Sequence, residues 1–139
     1  MAYVKSLSEE RRKRVIEAVG EAMREIERIK NSKVRRLLRT VANFCYRIGG
    51  ITEFEGDEEF GSYVIRCKFE DEGGFVVFSH RGRGGHAGIY TERDITEFKI
   101  PDEWMVHLAS GGIRVRGFIF TVRKSLTEET YDVEFNVLY

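Results

Sequence analysis

Two acid-free groups of basic side chains and one acidic run supply the residue types for chemistry in this 139-residue sequence. The first group lies in Ser79-His80-Arg81-Gly82-Arg83-Gly84-Gly85-His86-Ala87-Gly88. Arginines on a glycine backbone suit phosphate: the guanidinium fork pairs with two oxygens, and glycine lets the main chain approach. Gly82, Gly84 and Ala87 formally match a dinucleotide-binding fingerprint, which works only where a helix begins. Gly88-Ile89-Tyr90-Thr91 is β-prone instead, so the match is accidental. What remains is a loop that offers Arg81 and Arg83 to an anion.

The second group is Lys33, Arg35, Arg36, Arg39 and Arg47, with no acid between Asn31 and Ile48. On a helix, Arg35–Arg39 and Arg36–Arg39 are neighbours at i,i+4 and i,i+3, so three guanidiniums cluster away from Val34, Leu38, Val41 and Cys45. Such charges repel, and nothing close in sequence compensates, which points to a partner anion. Phe118 and Phe120 alternate in step with Arg114, Arg116, Val122 and Lys124. Exposed phenylalanine beside arginine reads as a base-stacking platform or a protein interface; a second covered face is the alternative. The expected nucleic-acid contacts are therefore Arg35, Arg36, Arg39, Arg81, Arg83, Phe118 and Phe120.

The means for catalysis are sparse. His80, His86 and His107 are the only histidines. A metal-free ribonuclease needs a general acid and base beside a phosphate-stabilising cation. His80 or His86, with Glu97 or Glu134 and Arg81 or Arg83, supplies those types as weak catalytic candidates. The order of elements is similar to that of small microbial ribonucleases in architecture alone, and no motif residue of theirs can be placed here. Nucleophile-elbow and zinc-protease signatures are absent, and no cofactor is expected. The acidic run Glu53-Phe54-Glu55-Gly56-Asp57-Glu58-Glu59 lacks calcium-loop spacing and is expected on a solvated turn, without a metal. Its pairing with the basic helix of another copy would give an oligomer. Cys45 and Cys67 are expected as packed free thiols, with a bridge between them as the alternative.

The elements that must position these residues divide the chain at Gly49-Gly50. From 8 to 48, Val15, Ile16, Val19, Met23, Ile26 and Ile29, then Val34, Leu37, Leu38, Val41, Cys45 and Ile48, recur at helical spacing. This is one long amphipathic helix, or two divided at Asn31-Ser32, with Ser6 and Glu9 as a capping box. Beyond Gly50 the period is two. Strands are expected over 62–69 and 75–79, joined by a turn at Asp71–Gly74, and in His86–Thr91 and Ile95–Ile100. Pro101-Asp102 opens a short helix carrying Trp104, Met105 and Leu108. A final hairpin turns around Ser125–Glu129, with Ile113, Val115 and Ile119 on one face of one strand and Tyr131, Val133, Phe135, Val137 and Tyr139 on one face of its partner. Short connections demand antiparallel pairing. The expected fold is α+β, a single domain over 1–139 with helices packed on a curved, mainly antiparallel sheet.

Composition bounds the rest. Residues 1–50 carry 13 basic and 6 acidic side chains, and residues 51–139 carry 10 and 17, so a net charge of zero conceals two opposed poles. No apolar run exceeds four residues, which excludes a membrane-spanning helix. After Met1 the chain reaches Lys5, Glu9 and Arg11 without the apolar stretch of a secretory leader. Glutamine is absent and asparagine occurs three times while 33% of residues are charged, the pattern of proteins that work hot. The expectation is a small cytoplasmic nucleic-acid-binding or regulatory domain. The alternative is a homodimeric assembly subunit without catalysis.

Overall fold

The helical half is two helices. The computed structural model describes residues 8–69, 75–78, 86–97, 105–108 and 114–138. Helix α1 (Glu9–Ile26) is capped by Ser8, whose hydroxyl accepts from Arg11 N at 3.3 Å, so the cap lies two residues beyond Ser6. Glu9 and Glu10 in the first turn oppose the positive end of the helix dipole. Helix α2 (Ser32–Arg47) starts at Asn31, whose Oδ1 accepts from Lys33 N and Val34 N at 3.0 and 3.1 Å. It ends as Gly49 takes φ 80°, while Gly49 N and Gly50 N donate to Tyr46 O and Cys45 O.

Eight strands follow: β1 (Ile51–Asp57), β2 (Ser62–Lys68), β3 (Phe75–Phe78), β4 (His86–Thr91), β5 (Met105–Leu108), β6 (Arg114–Val115), β7 (Gly117–Lys124) and β8 (Thr130–Leu138). Five of them form an open sheet in the order β1-β2-β7-β8-β4, antiparallel at every step. The other three form a second antiparallel sheet, β5-β3-β6. Both helices pack on one face of the larger sheet, which makes the fold α+β.

Register explains the core. Tyr63, Val122 and Val133 stand in one row across β2, β7 and β8; Ile65, Phe120 and Phe135 form the next, and Cys67, Phe118 and Val137 the third. All are buried except Val137, which is partly so. Leu38, Val41, Phe44 and Cys45 of α2 close over them together with Ile26 of α1. Phe118 and Phe135 stack with ring centroids 4.6 Å apart, and Phe44 lies 5.7 Å from Phe118.

Several expectations are overturned. Cys45 and Cys67 form a disulfide, because packing α2 on β2 brings the buried side of each element to its counterpart. Phe118, Phe120 and Val122 face the core, whereas Ile119 is half-buried on the opposite face. The parity resets at Gly117, which has φ 146° and begins a strand of a different sheet from β6. Met105–Leu108 is not helical; it pairs with Phe75–Phe78, and that ladder overrides the local helical signal. Ile95–Glu97 is a single 3-10 turn with Ile95 buried, not a strand. Strand β2 does not return into β3 through a hairpin: its partners are β1 and β7. The acidic run is mostly strand, with Glu53–Asp57 in β1 and only the following residues turning. Ile113, Trp104 and Tyr139 lie outside the described residues.

Candidate functional site

The arginines of α2 do not act as one cluster. Arg35 Nη1 donates to Ile29 O at 2.7 Å, satisfying a carbonyl just beyond the end of α1. Arg39 reaches Glu27 Oε1 through Nε at 2.9 Å and Nη2 at 2.5 Å. The repulsion expected between them is therefore compensated by the neighbouring helix: a negative helix end for one and a carboxylate for the other. Sequence spacing within one helix carried no signal of this. Arg36 differs, being exposed with no ion pair among the described residues.

A solvent-facing stripe runs along the rest of α2. Ser32, Arg36, Thr40, Asn43 and Arg47 are all exposed at helical spacing, and none is acidic. Arg36 and Arg47 are eleven residues apart, about 16 Å along the axis at 1.5 Å per residue. Thr40 Oγ1 donates to Arg36 O at 3.0 Å.

Of the other expected contacts, Phe118 and Phe120 are 3% and 0% exposed and cannot stack on a base. Arg81, Arg83 and His80 lie outside the described residues. His86 begins β4, paired with Phe135. Among the described residues no group of three or more histidine, cysteine or carboxylate side chains is placed to hold a metal.

Sequence reasoning missed a cleft where the junction between α1 and α2 meets the β1–β2 turn. One cavity of about 420 Å³ is lined by Glu25 and Arg28 of α1 and by Phe54, Glu55, Glu58 and Tyr63 of the hairpin. A second, of about 350 Å³, shares Glu58 and Tyr63 and adds Asn31, Lys30, Lys124 and Tyr131. The turn is fastened to the helices because Glu58 Oε1 accepts from Lys30 N at 2.9 Å. Asp57 Oδ1 shapes the turn by accepting from Glu59 N at 3.1 Å. Upstream, Glu53 and Glu55 pair with Lys68 at 3.1 Å and Arg66 at 3.4 Å across the β1–β2 ladder.

The floor of the cleft is aromatic. Phe54 and Tyr63 stack at 6.4 Å with rings 13° from parallel. Tyr63 is only 5% exposed, and its hydroxyl has no hydrogen-bond partner among the described residues. Burial first, then the charges of Glu58, Tyr131 and Asp57, push its pKa up to about 12. Tyr131 is also raised, by burial and then by Glu92, although its oxygen accepts from Asn31 Nδ2 at 3.0 Å. The pattern that located these tyrosines was strand alternation, which marks a buried face but not a cavity opening onto it.

In comparisons with protein-family models, curated proteins and solved structures, nothing matches this chain.

Proposed function

We propose that the protein is a small intracellular nucleic-acid-binding or regulatory domain whose phosphate-contacting surface is the solvent face of α2. The observation that carries this reading is the acid-free stripe of Arg36, Thr40, Asn43 and Arg47. Arginine and short polar side chains spaced along one helix face suit a phosphate backbone, because each contact needs only an accessible donor. Arg35 and Arg39 belong to the scaffold that fixes α2 against α1. Arg81 and Arg83 extend the proposal to the glycine-rich segment on sequence grounds alone. A disulfide in an intracellular setting fits a hyperthermophile, whose cytosol tolerates such bridges, and so agrees with the absence of glutamine.

The test is a salt titration of binding to random single-stranded RNA and DNA. On single strands each phosphate contact contributes roughly −0.7 to the slope of log affinity against log salt. Changing Arg36 and Arg47 to Ala should flatten the slope by about 1.4 on that figure. Changing Arg35 and Arg39 to Ala should instead lower the melting temperature and leave the slope alone. No binding at low salt, or a slope indifferent to Arg36 and Arg47, turns the proposal to its alternative, a homodimeric interaction subunit. That second reading is favoured by Ile89 on edge strand β4, which is 78% exposed.

A further inference from the structure

We propose that the cleft between α1 and the β1–β2 hairpin is a binding site for a primary ammonium on an alkyl stem, supplied by a free polyamine or by a lysine side chain. Three properties of the cleft converge on this ligand. Its floor is the stacked pair Phe54–Tyr63, which offers π-faces to a cation and apolar surface to methylenes. Its rim in the larger cavity sets three carboxylates, Glu25, Glu55 and Glu58, against one cation, Arg28. Glu55 shares its charge with Arg66 at 3.4 Å, and one oxygen of Glu58 accepts from Lys30 N, which leaves Glu25 and the second Glu58 oxygen to receive a donor.

The third property is Tyr63 itself. Its side chain is more than nine-tenths buried, it lines both cavities, and its hydroxyl lacks a hydrogen-bond partner among the described residues. The ring is buried but the oxygen is open to the cavities, where a ligand can reach it. Glu58 is first among the charges acting on that oxygen, which places the hydroxyl in a negative field at the point the cavities share. An ammonium suits this arrangement because its three donors diverge from one centre and can meet separate single oxygens. An anion would face the carboxylates, and a neutral apolar ligand would leave the phenol unsatisfied. The second cavity sets Lys30 and Lys124 against Glu58 and Glu59 and adds no net negative charge, so the larger cavity is the site, with one ammonium bound.

Calorimetric titration of the whole chain with spermidine, and separately with the peptide Gly-Lys-Gly, tests this at constant ionic strength. The expected result is one saturable site that magnesium at equal charge does not empty. Glu58→Gln and Tyr63→Phe should each weaken it about tenfold, the size of a lost charge-assisted hydrogen bond. Gln keeps an acceptor for Lys30 N and Phe keeps the ring, so both variants should fold; Glu25→Gln, on an exposed helix position, is a further variant with the same expectation. Equal affinity for the peptide identifies a lysine side chain as the source, and binding of spermidine alone identifies a free polyamine. Absence of binding by both probes, displacement by magnesium, or affinities that all three variants leave unchanged overturns the proposal. Because none of these residues lies on α2, its failure leaves the nucleic-acid reading untouched.

Discussion

Tyr63 shows how one residue can belong to the core and to a site at once. Its ring completes a buried row with Val122 and Val133, while its hydroxyl opens toward Glu58. The phenol ionises near pH 10 in an unfolded chain and near 12 in the fold. Between those values the folded state holds a proton that the unfolded state has lost, so unfolding becomes easier as pH rises. The stabilisation is complete below pH 10 and disappears as pH climbs through about 12. Alkaline melting curves should therefore fall over this window, and Tyr63→Phe should flatten the fall. A parent curve that is level there, or a variant that falls just as steeply, contradicts this account of the hydroxyl. Nothing in the residue's neighbours along the chain announces it: Glu58 precedes it by five positions across a turn, and Tyr131 comes from β8.

At the scale of elements, the sequence was legible wherever periodicity ran unbroken. Gly49 marks the end of α2 because its chemistry is local, a backbone free to take positive φ. At Asn31 the sequence leaves one helix or two open, and the structure decides it: the side chain accepts from two orphan amides. Legibility failed where pairing decides. Met105–Leu108 reads as part of a helix until Phe75–Phe78 lies beside it, and β7 reads with the wrong face inward until Gly117 breaks its continuity with β6. A Cβ at Gly117 would collide with the Cys67 carbonyl, so the strand switch and the bridge lie against each other. The bridge is a similar case, since only the packing of α2 on β2 sets Cys45 and Cys67 5.7 Å apart between Cα atoms. It closes a loop of 22 residues, for which chain entropy gives about 3 kcal/mol. Reduction, or Cys45→Ala with Cys67→Ala, should lower the melting temperature by roughly 10 °C for a chain of this size. An unchanged melting point under full reduction would show that the helices hold the sheet without it.

The whole chain has no net charge, yet its helical half sums to a positive charge and its β-rich half to a negative one. Its α2 stripe is positive, and the end of the β1–β2 hairpin is negative. The acids of that pole are partly spent inside the fold: Glu53 and Glu55 on Lys68 and Arg66, and Glu58 on Lys30 N. The basic pole keeps Arg36 and Arg47 exposed. This asymmetry could not be read from a count of charges, because the count is equal and only topology decides which side chains find partners at home. Two routes to self-association follow from the layout, and salt separates them. Contact between the poles of two copies is screened beyond about 10 Å at 0.1 M salt and should vanish as salt rises. Contact through the open sheet, at edge strand β4 with its exposed Ile89, rests on backbone pairing and apolar burial and should survive. Light scattering at low and moderate salt should therefore give a dimer mass at low salt alone for the first route and at both for the second. A monomer mass at both removes self-association and leaves each pole to a partner of another kind.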